Sequence, residues 1–545
     1  MLSMVLVLSS PDATVESNTI RRSVSLQTKA DSRKSPEVQA FPLNWGPSSR
    51  RQGFQGSVTE DKGVGLKGWL SGPRHSRAPT VQKLVPIDPH RIAVLPIINI
   101  SPDPADAYFA DGLTEELIST LSKISELSVI SRTSVMQYRG RAMAATEIGT
   151  ELAVSAILEG SVRKAGEKLR ITAQLIDTQS DKHLWSQTYD RELKDIFAVQ
   201  SDIAAKIAGS LRVALLKEDK EKIAKKPTEN MRAYALYLKG KPLLVSRTEA
   251  DLKAAKELFE SAIALDPAYA PAYSGLADVY ILLGDYSSTI PPSAAKRQAR
   301  ELVSKALEIN PDLAEARATL GLLLAQEYDF PDAEKEFRRA ISLNPSYSNA
   351  HNWLGQFVLA YQGRYQECLE ELKIAELADP MSIAVLSNQL DWLLLYQRDL
   401  EQSAQKVAKA IQLYPEHQLT KEMEILFHHD TGNYSRAIEE RLLSLKKESL
   451  VMAYSAIRNR DEAIEWLAKL ETLPEGTPFR SAYIAYAHAG LGELHEFFIW
   501  TQRASEEKAL NFGLLRLIDM EIPAMRNIRQ DPRFIELFKK VGLEA

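Results

Sequence analysis

Apolar positions along the chain fall into two rhythms that follow a stretch with none. Residues 1 to 88 are dominated by Ser, Pro, Gly, Arg and Lys, with no sustained helical or strand period. Such a segment buries too little apolar area to offset its ordering entropy, and a disordered arm is expected. From 89 the pattern turns mixed. "RIAVLPIIN" reads as a buried strand, and "FADGLTEELISTLSKI" sets Leu113, Leu117, Leu121 and Ile124 on one helical face, with Asp111 and Thr114 as candidate caps. "LSVISR" predicts a second strand and "TEIGTELA" a short helix. In the meander that follows, Leu169, Ile171, Ala173 and Leu175 alternate with Arg170, Thr172 and Gln174, the period of a strand buried on one face. Gly166 and "DTQSDKH" mark the turns on either side of it, and Ile196, Val199, Ile203, Ile207 and Leu211 then form an amphipathic helix. A two-layer α/β sandwich over 89–216 follows, with helices covering a mixed sheet. The run "KEDKEKIAKK" within 217–228 interleaves acids and lysines and predicts a solvated helical linker.

Beyond 229 the rhythm is helical to the end, punctuated by Pro267, Pro311, Pro345, Pro380 and Pro415 at spacings of 44, 34, 35 and 35 residues. Proline lacks an N–H and clashes with the preceding turn, so each one ends a helix and sets the entry to the next. The long interval holds "YSSTIPPSAA", a ten-residue insertion between two helices. A period of about 34 residues built of helix pairs is that of tetratricopeptide (TPR) repeats. Small residues stand where such helices approach closely: Leu320 and Gly321 precede Ala333, Phe337 and Ala340, and Leu354 and Gly355 precede Cys368, Leu372 and Ala375. Cys368 occupies an alanine position and reads as a small buried hydrophobe rather than a nucleophile. Past Pro415 the pattern decays, but "ILFHHDTGNYSRAIEERLL" and "AYIAYAHAGLGELHEFFIW" keep it, and "MRNIRQDPRFIELFKKVGL" reads as a closing helix.

The fold class expected is therefore α/β plus all-α: a small sandwich followed by an α-solenoid of TPR helix pairs over 229–545. A solenoid has a concave groove that binds extended peptides or helices of other proteins. In the usual register the first helices present Asp278, Asn349, Asn352, Gln356 and Asn388 to that groove, where amides can pair with a ligand backbone as donor and acceptor together. The array lacks the Lys and Arg set of the clamps that bind C-terminal carboxylates, so that ligand is not expected.

Over roughly residues 90 to 215, "IAVLPIINISPDPADAYFADGLTEELISTLSKI" and "AILEGSVRKAGEKLRITAQLIDTQSDKHLWSQTYDRELKDIFAVQ" resemble the amino-terminal domain of TolB-like proteins. The resemblance implies that small α/β fold and a place among bacterial regulators that carry it ahead of TPR repeats, with adenylate cyclase, winged-helix or kinase domains in the same chains. It implies no catalytic residues, and it admits a periplasmic as well as a cytoplasmic setting.

Composition narrows the remaining classes. A formal net charge of -5 over 545 residues gives no case for nucleic-acid binding, and one cysteine excludes an intramolecular disulfide or a multi-Cys metal site. "MLSMVLVLSS" is too short to span a bilayer and lacks the basic start of a signal peptide, and the arginine pair in "IRRSVSL" has no apolar core after it. A cytoplasmic protein without a membrane span is expected. "GVGLKG" matches a dinucleotide-binding fingerprint but has no strand before it or helix after it. Metalloprotease, P-loop and kinase motifs are absent, and the folded length leaves no room for a cyclase domain. His428, His429 and Asp430 cluster, but adjacent helical residues point about 100° apart and seldom share an ion. The expectation is a non-enzymatic scaffold or regulator without cofactor or metal, binding a protein partner. The alternative is the regulatory remainder of a signalling protein whose effector domain lies outside the chain.

Overall fold

The computed structural model describes residues 88–544 apart from 247, 287–289, 434, 438–458, 475–476, 478–479, 516–521 and 523–524. The expected arm over 1 to 88 and the "GVGLKG" stretch lie outside these residues, as does part of the "YSSTIPPSAA" insertion.

Six strands build one mixed sheet: β1 Arg91–Val94, β2 Ile98–Asn99, β3 Ser128–Val129, β4 Ala156–Ala165, β5 Lys168–Asp177 and β6 Lys182–Glu192. Their order is β3-β1-β4-β5-β6, with β2 also on β4. The run "RIAVLPIIN" is broken at Pro96, yet both halves pair with β4, Ile92 opposite Ala156 and Ile98 opposite Ser161. Proline cannot donate to a ladder, so the strand lapses there and resumes. Gly166 adopts φ +59° in the tight β4–β5 turn, a conformation that favours glycine. Alternation along β5 sends Leu169, Ile171, Ala173 and Leu175 to the core. Its other face stays open, and Arg170 there forms a 2.7 Å ion pair with Asp190 of β6. Helices Ala107–Leu121 and Ile196–Ser210 cover the buried face through Leu113, Leu117, Ile203 and Ile207.

The charged run forms the helix Lys217–Ala224. It is more than a solvated linker: Ile223 is buried, and the Ile223 carbonyl accepts the Ser201 hydroxyl at 2.6 Å.

Helix pairs follow, from Met231–Gly240 with Glu249–Leu265 through Gln418–Asp430, and again from Arg460–Glu471 to Leu494–Glu506. The proline device acts through the residue ahead of it, since the ring excludes that residue from helical backbone. Asp266, Asn310, Asn344, Asp379 and Tyr414 each close a helix with φ between −136° and −144°. Within pairs, a Cβ on Gly321 would sit 3.0 Å from the Phe337 ring, so glycine there lets the helices close up. Burial pushes the Cys368 thiol well above its ordinary pKa, consistent with the alanine position it fills.

Two details were not legible as periodicity. Leu354–Leu359 and Leu393–Gln397 are π-helical turns that continue first helices of adjacent pairs. The chain's end also folds back on the array, where Phe512 packs edge-on against Tyr328 at 5.2 Å and against Phe538 at 5.0 Å. The Tyr328 hydroxyl there donates to the Leu510 carbonyl at 3.0 Å and accepts from its N–H at 2.9 Å.

Candidate functional site

The sheet does not hang free of the solenoid. One hydrophobic core runs from β1 and β4 through Ala233, Tyr234 and Leu238 to Phe259 and Tyr269 of the first repeat. Gly112 lies so close to Leu238 that a Cβ would meet its side chain at 2.6 Å. Phe197 packs edge-on against Tyr234 at 4.9 Å, and the Tyr234 hydroxyl accepts from Gln200 at 3.2 Å.

At its other margin the sheet rests on the proline loops. β3 is an edge strand, and an edge leaves alternate amides unpaired. Ile130 N–H goes to Ile92 of β1 at 2.9 Å. The outward amides are taken by the repeats: Val129 N–H donates to Ser346 Oγ at 3.0 Å and Ser131 N–H to the Ala378 carbonyl at 2.8 Å. The Arg91 guanidinium donates to the Leu377 carbonyl. Ser134, fully buried, donates to Asp379 Oδ1 at 2.5 Å and accepts the Met381 N–H at 2.9 Å. Gln137 donates to the Tyr414 hydroxyl at 3.1 Å, and that hydroxyl donates to the Met381 carbonyl at 2.7 Å. Three successive proline loops, at Pro345, Pro380 and Pro415, thus form a platform for residues 127–137.

Between these two seams the α/β part roofs the concave face and leaves a cavity of about 1110 Å³. Its floor comes from the first helices of successive pairs, and its roof from the Ala107–Leu121 helix and its neighbours. Glu115 binds Lys241 at 2.9 Å and Arg132 at 3.6 Å. Burial alone would lower the Lys241 pKa, but the charge and hydrogen bond of Glu115 carry it upward. Burial lifts Glu116 to about 7, against the attraction of Lys123. Burial likewise lifts Asp278 to about 6, although Lys241 and a 2.9 Å hydrogen bond from Thr319 pull the other way. A desolvated carboxylate favours its neutral form unless a cation joins it.

The sequence-predicted groove residues divide. Asp278, Asn349, Asn352 and Asn388 all line the cavity. Asn388 Nδ2 donates to Asn352 Oδ1 at 3.1 Å across adjacent pairs, while Asn349 is exposed and hydrogen-bonds the Tyr347 side chain. Gln356 is fully buried away from the cavity lining, and its Oε1 accepts the Trp392 indole N–H at 2.6 Å. It sits inside a π turn, where the 3.6-residue period that assigns it to the groove no longer holds. Periodicity missed Glu116, Glu315, Lys241 and Ser274, which also line the cavity. Glu315 and Ser274 occupy first helices and were open to the same register argument, whereas Glu116 depends on a fold-back that no local pattern encodes.

Elsewhere the chemistry-bearing side chains have structural surroundings. His428 is buried, and His429 Nδ1 lies 3.1 Å from Asp430 Oδ1. Among the described residues no group of three or more His, Cys, Asp or Glu side chains is placed to hold a metal ion, and no helix is long and apolar enough to cross a membrane.

Comparison with known proteins supports the repeats. The tetratricopeptide repeat family matches residues 247–288 and 319–380. A curated relative from Rhizobium meliloti (strain 1021), "Putative adenylate cyclase 3", is 34% identical over 245 residues, 45% of this chain. The chain spans 41% of that relative's length. Among solved structures, YrrB, a TPR protein with an unusual peptide-binding site, is 23% identical over 34% of this chain and 89% of its own, with a TM-score of 0.23. Pseudomonas aeruginosa pilF is 17% identical over 47% of this chain and 98% of its own, with a TM-score of 0.27. Tetratricopeptide repeats thus stand at residues 247–288 and 319–380, within a mostly helical array joined to an amino-terminal mixed-sheet region.

Proposed function

We propose that this chain is a non-enzymatic interaction protein that binds a segment of a protein partner in the roofed concave groove of its TPR array. The observation that carries the reading is the cavity of about 1110 Å³, whose floor is made by first helices of consecutive repeats and is lined by Asp278, Asn349, Asn352 and Asn388. Repeat grooves recognise extended segments through such side chains. The roof, which resembles the TolB amino-terminal domain, narrows the groove to a pocket. Comparing capture of lysate proteins by the parent and by a variant carrying Asp278→Asn with Asn349→Ala tests it, with any captured protein then purified and titrated against both. Loss of at least tenfold in affinity, with unchanged melting temperature, is the expected result. Equal affinity for both sinks the groove as the site.

A second reading has one specific support, the likeness over 245 residues to a relative named as an adenylate cyclase. On that reading the present residues are the regulatory part of a signalling protein, and the partner is an effector domain. Purified chain incubated with ATP is expected to make no cyclic AMP; turnover would overturn the non-enzymatic assignment.

A further inference from the structure

The groups lining the cavity are unequally satisfied. Lys241 and Arg132 are committed to Glu115, Lys225 donates to Asn310 at 2.9 Å, and Arg339 pairs with Asp312 at 2.7 Å. Lys123 attracts Glu116 without forming an ion pair with it. Among the described residues the carboxylates of Glu116 and Glu315 have neither a hydrogen-bond nor an ion-pair partner, and that of Asp278 receives only the Thr319 hydroxyl. Acidic groups alone do not make a site. Ser274 supplies an independent sign: it is 3% exposed, lines the same cavity, and its Oγ has no hydrogen-bond partner. A buried hydroxyl left unmatched costs about 1–3 kcal/mol unless something meets it. Ser274 and Asp278 are four residues apart on the helix Ala270–Tyr286, so they share one face, and Glu315 lies on the first helix of the next pair, Ala314–Gln326. Tyr237 and Tyr347 add aromatic walls.

We infer that this cavity receives an arginine side chain of a bound peptide segment, its guanidinium donating to Asp278, Glu315 and the Ser274 hydroxyl beneath the Glu116 side chain. The assignment rests on the groove reading above and deepens it. Arginine fits better than lysine because its planar fork offers five donors in fixed geometry, can serve two carboxylates and a hydroxyl at once, and sheds its weak hydration readily. Rings on the walls favour the same planar cation. A guanidinium entering the site also relieves the desolvation of Asp278 and Glu116, so affinity rises with pH as these two ionise. Glu115, Lys123, Lys241, Glu315 and the phenols of Tyr234, Tyr237, Tyr269 and Tyr347 are the other charged or titratable groups facing them.

The test titrates the full chain by calorimetry with a blocked hexapeptide bearing three alternate arginines, with its twin in which citrulline, uncharged and nearly isosteric, replaces each arginine, and with agmatine as a free guanidinium. At pH 8 the arginine peptide is expected to bind at least tenfold tighter than the citrulline twin. The preference is expected to shrink at pH 5.5, and to vanish in a variant carrying Asp278→Asn and Glu315→Gln whose melting temperature is unchanged. Equal binding of the two peptides, a preference that survives the double substitution, or no binding of either peptide at millimolar concentration each overturns the inference. In those cases the capture experiment still decides the groove reading separately. Agmatine binding as tightly as the peptide would refute a peptide source and assign the cavity to a small free guanidinium compound.

Discussion

Replacing Ser134 by Ala removes one hydroxyl that serves two groups across the seam between sheet and solenoid. Its donor bond to Asp379 Oδ1 is 2.5 Å, and its acceptor bond from Met381 N–H is 2.9 Å. Asp379 is buried, which raises its pKa, although the neighbouring hydroxyls of Ser131, Ser134 and Thr133 pull the other way. Losing one bond to a charged group removes about 1.5–2 kcal/mol, and the stranded Met381 amide adds about 1. The expected change in local opening free energy is about 3 kcal/mol, or a roughly hundredfold faster amide exchange in peptides covering 128–136 and 377–383. Hydrogen exchange suits the case better than bulk denaturation, because a chain of this size need not unfold in one step. A cycle with Asp379→Asn isolates the pair, with an expected coupling of about 1–2 kcal/mol. Exchange less than threefold faster in the Ser134→Ala variant, or additive effects in the cycle, would refute the claim that the proline loops hold the sheet.

Further consequences follow from single side chains. Glu116 has a folded pKa of about 7 against an ordinary 4.5, so the folded state keeps its proton longer than the unfolded chain. Its stabilising contribution is whole below about pH 4.5 and is lost as pH rises to about 7, at most about 3 kcal/mol. Glu116→Gln is therefore expected to flatten the fall in stability over that window; a denaturation series giving an unchanged slope would contradict the burial argument. Gln356→Ala opens a void and leaves the Trp392 indole N–H unmatched, an expected loss of about 2–4 kcal/mol visible as a blue-to-red shift of indole fluorescence at lower denaturant. Phe512→Ala removes a fully buried ring from the closure of the chain's end on Tyr328, an expected loss of about 3–5 kcal/mol with faster proteolysis after 510. The thiol of Cys368 is expected to stay unreactive toward a disulfide reagent until urea unfolds the array.

Much of the architecture was legible because each level of the sequence agrees with the next. Alternation along β5, the apolar stripes at Leu113 and Ile203 and the five Xaa-Pro pairs predict the elements the structure contains, since burial and ring sterics act locally. The candidate site was legible only in part. Asp278, Asn349, Asn352 and Asn388 obey the helical period and line the cavity, but Gln356 lies in a π turn that the period does not describe. The roof was invisible, because contacts such as Ser134 with Asp379 span 245 residues and leave no trace in any window. Serine and aspartate at those places read as ordinary turn residues.

The roof also limits how a partner can reach the groove. Lifting it would expose the apolar continuity from β4 to Phe259, the Phe197–Tyr234 contact and the bonds of residues 129–137 to three proline loops. Each buried large side chain contributes about 1.5–3 kcal/mol, so the closed form outweighs an open one by far more than the roughly 5.5 kcal/mol that moves a 1:99 equilibrium to 99:1. A ligand of ordinary affinity cannot supply that difference. On the proposed reading, what enters is therefore an extended segment passing beneath the sheet at an exposed part of the lining such as Asn349, rather than a folded domain laid along an open solenoid. On the proposed reading such rigidity favours selectivity, because a preformed pocket spends little on ordering itself and rejects any segment that cannot match its polar groups.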